Sequence, residues 1–178
     1  MMAEIMGKSS GYGKGKGGSM HVSAPALGML GANGIVGAGA PLAVGAAFAN
    51  RYRGSDAVAV VFFGDGAANT GALHEAANMA AALELGVVFV CENNGYGEST
   101  AQGVAMAVGD VVDRAAGYGM TGVTVDGMDV VAVFEAASAA VDTARRHQQP
   151  SLIEAKTCLL YTSPSPRDAT LSRMPSSA

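Results

Sequence analysis

Two short polar segments of this sequence each follow an apolar run of strand length. The first contains Asp65 and follows residues 57–63, and the second contains Asn94 and follows residues 86–91. A carboxylate, an amide oxygen and nearby backbone carbonyls suit a hard cation such as Mg²⁺, which also takes phosphate oxygens as ligands. If the two runs are neighbouring parallel strands, both segments lie at the sheet edge where α/β proteins bind ligands. The sequence therefore predicts a magnesium and diphosphate site.

The glycines beside these polar residues leave a second interpretation open. Gly66 and Ala67 lead into a helix, so their N–H groups could face a phosphate. Asp-Gly and Asn-Gly pairs are also common turn signals, and either segment alone is well explained as a plain turn. No GxGxxG follows a strand and no Gly-Lys-Ser/Thr follows Gly64. A dinucleotide fingerprint and a P-loop are therefore both absent from the sequence.

Strand and helix patterns alternate through the middle of the chain. The predicted strands are 57–63, 86–91, 122–125 and 151–155, and the predicted helices are 34–49, 71–85, 111–118 and 129–146. The continuous apolar run at 57–63 is typical of a parallel strand covered on both faces. This alternation predicts an α/β fold with a doubly wound, mostly parallel sheet.

Composition excludes several classes of protein. The length of 178 residues fits one ordinary domain. The chain is 49% hydrophobic and 15% charged, and its net charge of −4 disfavours a nucleic-acid binder with a basic surface. Two cysteines, Cys91 and Cys158, indicate a reducing compartment rather than a disulfide scaffold. Residues 22–50 carry no charge, but Pro25, Asn33 and Pro41 interrupt them, so no membrane span is predicted.

A known cofactor motif spans the two polar segments. Gly-Asp-Gly at residues 64–66 is followed, after the 26 residues 67–92, by Asn-Asn at 93–94. This spacing resembles the thiamine-diphosphate motif. The segments "GKGGSMH" at 15–21 and "GANGIVGAGAPLAVGAA" at 31–47 narrow the resemblance to the alpha subunit of the first component of 2-oxo acid dehydrogenase complexes, of the pyruvate and acetoin branch. The resemblance covers roughly residues 5–157.

The resemblance implies a doubly wound sheet of the thiamine-diphosphate-binding type and a set of site residues. Mg²⁺ would be bound by the side chains of Asp65 and Asn94 and by the backbone carbonyl of Tyr96. The diphosphate would be contacted by Gly64, Gly66 and Ala67, together with Asp65 and Asn94. The aminopyrimidine would be contacted by Gly34 and Val36. His21, the catalytic candidate, would lie near the reacting carbonyl.

The family also implies an activity and partners. Its members decarboxylate a 2-oxo acid such as pyruvate, or cleave acetoin, and pass the acyl unit to a lipoyl-bearing acyltransferase component. The activating glutamate lies on a beta subunit, usually in a heterotetramer of two alpha and two beta subunits. The chain alone is therefore expected to be inactive. A bacterial protein of this kind is cytoplasmic, and a eukaryotic one is in the mitochondrial matrix.

The sequence departs from the family pattern at both ends. Residues 1–157 are interpreted as a partial thiamine-diphosphate-binding domain that lacks an upstream segment. Residues 158–178 are rich in Pro and Ser, lack the family's Gly-His-Ser segment and are predicted to be a disordered, non-family tail. Two alternatives stay open at this stage: a non-catalytic assembly fragment and a nucleotide-binding α/β domain.

Overall fold

The protein contains a four-stranded parallel sheet with helices on both faces. The structure, a computed structural model, describes residues 1–158, so the predicted tail lies outside the described residues apart from Cys158. The strands are β1 (Ala59–Gly64), β2 (Val87–Asn93), β3 (Tyr96–Gly97), β4 (Thr100–Ala101), β5 (Thr121–Asp126) and β6 (Ser151–Lys156). The main sheet has the order β1-β2-β6-β5, and β3 and β4 form a separate antiparallel pair.

The helices follow the predicted alternation. They are α1 (Met2–Ile5), α2 (Gly39–Tyr52), α3 (Gly71–Ala82), α4 (Gln102–Ala105), α5 (Ala115–Tyr118) and α6 (Val130–His147). Short 3-10 turns occupy Pro25–Leu27, Ala67–Asn69 and Val111–Arg114. Helices α2 and α3 pack with one face of β1 and β2, whereas α6 packs on the opposite face of the sheet. This arrangement confirms the doubly wound, mostly parallel fold.

The central strand and the edge strand differ in how they are covered. In β2, Val87, Val88 and Phe89 are all buried, as expected for a strand with helices on both sides. In β1 burial alternates, and Val60 and Phe62 are 44% and 64% exposed. The prediction that this run is covered on both faces is wrong within the described residues. Strand β1 lies at the sheet edge, and the contacts of α6 are with β2, β5 and β6.

Backbone conformation explains where the predicted helices shift. The helix predicted at 34–49 begins at Gly39, because Gly37 has a φ of +81° that an α-helix cannot contain. Pro41 consequently lies in the first turn, where proline is tolerated. The helix predicted at 71–85 ends at Ala82, before Glu84 with a φ of +50°. The helix predicted at 111–118 is a 3-10 turn followed by the short α5.

The last long helix has a well-defined start. The Asp129 side chain accepts hydrogen bonds from the N–H groups of Val131 (2.9 Å) and Ala132 (3.3 Å), which would otherwise lack helical partners. Asp129 is therefore the N-cap, and α6 runs from Val130 to His147, one residue later at each end than predicted. Within residues 1–158, no helix is long and apolar enough to span a membrane.

Candidate functional site

The two polar segments lie side by side at one edge of the sheet. Strands β1 and β2 are parallel neighbours, and their ends pair Gly64 with Glu92. The loops that follow approach so closely that a Cβ on Gly66 would lie 2.9 Å from the Cα of Gly97. Only glycine permits two backbones to meet at this distance without a shift. The structure thus brings together the segments that the sequence predicts to be adjacent.

A cavity of about 330 Å³ opens between these loops. Two of the predicted site residues, Asp65 and Gly66, line it. The other lining residues come from the 3-10 turn after β1 and from the β3–β4 hairpin with α4, and sequence analysis gave none of them a role: Asn69, Gly97, Thr100, Gln102 and Ala105. Their polar side chains add hydrogen-bonding groups to a cleft whose floor is a buried carboxylate.

Asp65 is that carboxylate. It is 2% exposed, and no group within residues 1–158 donates a hydrogen bond to it. The described residues leave no fully buried side-chain oxygen without a partner, so the Asp65 oxygens face the cavity, where water or a cation can meet them. The described residues contain no group of three or more His, Cys, Asp or Glu that could hold a metal. A cation here would need amide, backbone and phosphate oxygens as further ligands, which is the ligand set that Mg²⁺ accepts.

The first loop is held by a residue that sequence analysis missed. Arg114 donates from Nη1 to the carbonyl of Ala68 (2.6 Å) and from Nη2 to the Asn69 Oδ1 (2.7 Å). These bonds fix the 3-10 turn that begins at Ala67, which is itself buried. Arg114 lies 45 residues away in sequence from Asn69, so no local pattern indicates this contact.

The second loop is shaped by its own asparagines. Asn94 Oδ1 accepts a hydrogen bond from the N–H of Tyr96 (3.0 Å), which forms an Asx turn. Its second lone pair stays available to a cation. Asn94 and Tyr96 do not line the cavity, although Gly97, the residue after Tyr96, does. Their assignment as metal ligands stays a prediction.

The remaining predicted residues lie along a chain segment that reaches the first loop. A Cβ on Gly34 would lie 3.9 Å from the His21 Cε1, so these two are neighbours. Further on, Gly37 packs against the Thr70 side chain, directly after Asn69. His21 and Val36 are exposed, and neither they nor Gly34, Gly64 and Ala67 line the cavity. Their roles also stay predictions.

Comparison with known proteins decides the family. The family model described as dehydrogenase E1 component matches residues 1–162. The chain belongs to this family. The E1 chain is 56% identical over 161 residues to the alpha subunit of acetoin:2,6-dichlorophenolindophenol oxidoreductase from Bacillus subtilis (strain 168), covering 90% of this chain and 47% of that relative. It is 47% identical over 154 residues to the pyruvate dehydrogenase E1 component subunit alpha of Rhizobium meliloti, covering 86% and 44%. The E1 chain spans about half the length of these relatives.

Solved structures agree with the fold. The E1 chain resembles an enzyme from Mycobacterium smegmatis assigned as thiamin diphosphate-dependent, with a TM-score of 0.58 and 26% identity, over 73% of this chain and 23% of that one. It also resembles a transketolase mutant from Pichia stipitis, with a TM-score of 0.60 and 29% identity, over 71% and 20%. The doubly wound sheet of the thiamine-diphosphate-binding type is thereby confirmed.

Proposed function

We propose that this E1 chain provides the diphosphate-binding part of an alpha subunit that decarboxylates pyruvate or cleaves acetoin. The acyl unit would pass to the disulfide of a lipoyl group on an acyltransferase component. The observation that carries the proposal is the buried, unbonded Asp65 carboxylate at the floor of the cavity between the β1 and β2 loops. Acetoin is the favoured substrate, because identity to the acetoin relatives (56% and 53%) exceeds identity to the pyruvate ones (47% and 46%).

The chain's own residues fit the cofactor by their chemistry. Asp65 and Asn94 would bind Mg²⁺ through side-chain oxygens and Tyr96 through its carbonyl. Gly64 and Gly66 would leave room for the diphosphate, and the N–H of Ala67 would donate a hydrogen bond to it. When bound, thiamine diphosphate would supply the nucleophilic carbon that this chemistry needs. The protein's share of the work here is to hold the charged tail against the sheet edge.

Two further segments complete the proposed site. Gly34 and Val36 would contact the aminopyrimidine, and the neighbouring His21 would hold or move a proton near the reacting carbonyl. The glutamate that activates the cofactor would come from a beta subunit, in a heterotetramer of two alpha and two beta subunits. The chain alone is therefore proposed to be inactive. Neither the nucleotide-binding domain nor the assembly-fragment alternative gains support from the relatives found.

The metal assignment is tested by replacing Asp65 with Asn. Isothermal titration should show thiamine diphosphate binding to the wild-type chain only with Mg²⁺, and Asp65→Asn should weaken it at least about a hundredfold, since a lost charged ligand costs several kcal/mol. Asp126→Asn is the matched control, because Asp126 also precedes a glycine at the end of a parallel strand. Its carboxylate, however, accepts the Met128 N–H at 2.9 Å. Equal, tight binding by wild type and Asp65→Asn would contradict the proposal.

The partner assignment is tested by capture of a beta subunit. We expect the E1 chain to retain the beta subunit of the Bacillus subtilis acetoin system more strongly with thiamine diphosphate and Mg²⁺, because the cofactor would lie between the subunits. The captured complex is then assayed for dichlorophenolindophenol reduction, with acetoin expected to be a better substrate than pyruvate. If the chain captures the beta subunit equally with and without cofactor and binds no thiamine diphosphate, the result would instead favour the assembly-fragment alternative.

A further inference from the structure

A buried carboxylate in β6 lies beside the end of β2. Glu154 is fully buried, and three groups donate hydrogen bonds to it. Asn93 Nδ2 (2.5 Å) and Lys156 Nζ (2.7 Å) donate to Oε1, and the Val112 N–H (2.8 Å) donates to Oε2. Burial acts to raise the pKa of this carboxyl, but these hydrogen bonds hold it below its ordinary value. Glu154 is therefore an ionised acceptor for three converging donors.

Asn93 carries this interaction into the second loop. Its Nδ2 also donates to the Gln102 Oε1 (2.8 Å), and its Oδ1 accepts the Gly95 N–H (2.9 Å). The Gln102 N–H in turn donates to the Gly95 carbonyl at 2.8 Å. A single buried side chain thus contacts both ends of the loop from residue 94 to residue 102, and these hydrogen bonds hold the two ends together.

The loop that Asn93 closes forms one wall of the cavity. Gly97, Thr100 and Gln102 line the cavity, and the predicted metal ligands Asn94 and Tyr96 lie in the same loop. The other end of the network is fixed in the sheet, because Glu154 pairs with Cys91 across β2 and β6. The path from sheet to cavity therefore runs through Glu154, Asn93 and Gln102.

We propose that Glu154 is a positioning residue that orders the 94–102 loop through Asn93 before any cofactor binds. The functional consequence rests on the proposed function: thiamine diphosphate and Mg²⁺ would bind to a cavity wall that is already ordered. It does not make Glu154 a ligand, since its oxygens are engaged by donors and it does not line the cavity.

The chemistry of the three donors makes Glu154→Gln a specific test. A glutamine has the same shape, but its NH₂ group cannot accept, so at least one of the three donors would lose its partner. Asn93→Ala removes the connection to the loop while Glu154 keeps Lys156 and Val112. Asp142→Asn is the control, because Asp142 lies in an exposed ion pair with Arg146 of α6 (3.6 Å) and, among the described residues, has no hydrogen bond to Glu154, Asn93 or the 94–102 loop.

Two measurements are made on the full chain below the melting temperature of every variant. In the first, without cofactor, amide hydrogen exchange at Gly95 and Gln102 should become about tenfold faster or more in Glu154→Gln and Asn93→Ala, because the bonds closing the loop loosen. In the second, thiamine diphosphate affinity with Mg²⁺ should fall about tenfold in both variants. The double variant should be no weaker than the weaker single one, because both act through one link. Asp142→Asn should match wild type in both measurements.

Each outcome is decisive. Unchanged exchange and affinity in Glu154→Gln, with a wild type that binds cofactor, would overturn this inference alone and leave Glu154 a core residue. If Glu154→Gln does not fold, Asn93→Ala decides in the same way. A wild type that binds no thiamine diphosphate would overturn the proposed function and the cofactor consequence. Faster exchange in both variants would still show that Glu154 orders the loop.

Discussion

A third buried carboxylate, Glu4, organises the N-terminal glycine-rich segment. Glu4 accepts hydrogen bonds from the N–H groups of Gly13 (2.8 Å), Gly15 (2.9 Å) and Gly17 (2.7 Å). Gly17 also packs against the chain at His21, where a Cβ would clash with the His21 carbonyl oxygen. The segment that leads to the proposed catalytic histidine is thus wrapped around one carboxylate rather than being a free loop.

This arrangement predicts an acid sensitivity that belongs to one residue. The N–H donors of Gly15 and Gly17 hold the pKa of Glu4 below its ordinary value of 4.5. A lowered folded-state pKa contributes stability above pH 4.5, and that contribution is lost as the pH falls through the folded-state pKa. The protection factors of the Gly13, Gly15 and Gly17 amides against hydrogen exchange should therefore fall below pH 4.5. In Glu4→Gln they should already be about tenfold lower at pH 7.

The matched control for this prediction is an exposed glutamate. Glu75 lies on the solvent side of α3, so Glu75→Gln should leave exchange at the three glycines at the wild-type rate. Glu4→Gln should also lack the acid-dependent step, because no carboxyl titrates there. High protection factors at the three glycines that do not change with pH, in both the wild type and Glu4→Gln, would show that Glu4 does not hold the segment.

At the scale of elements, periodicity predicted the type of each main helix and strand and their order along the chain, but not the residues at which they begin and end. All four strands of the main sheet and the three long helices occur where their patterns predict them. Their boundaries depend on backbone conformation, as at Gly37 and Glu84, whose positive φ values stop or delay a helix. Burial of the outer face of β1 depends on whether another element packs over it, and a continuous apolar run does not indicate that.

The candidate site shows the same division. Asp65 and Gly66 were predictable, because a polar residue beside glycine after an apolar strand is a local signal. Thr100 and Gln102 were not, because they reach the cavity only through the β3–β4 hairpin, whose two-residue strands carry no period. Long-range contacts such as those of Arg114 and Glu154 are set by packing between elements, and a single sequence carries no local mark of them.

At the scale of the whole molecule, the two faces of the sheet are unequal. Helices α2 and α3 cover β1 and β2 on one side, whereas on the other side the contacts of α6 are with β2, β5 and β6. Within the described residues, β1 is therefore an edge strand whose outward side chains form an exposed apolar surface. Exposed apolar edges of this kind favour association between molecules.

Adjacent phenylalanines of β1 provide the test of this asymmetry. Phe62 is 64% exposed and Phe63 is 8% exposed, on opposite faces of the same strand. Phe62→Ala should change the free energy of unfolding by no more than about 0.5 kcal/mol and reduce aggregation in light scattering, because it removes only outward apolar surface. Phe63→Ala should cost about 3–5 kcal/mol by emptying the core against α2 and α3. Equal destabilisation by the two substitutions would mean that the outer face of β1 is covered in solution.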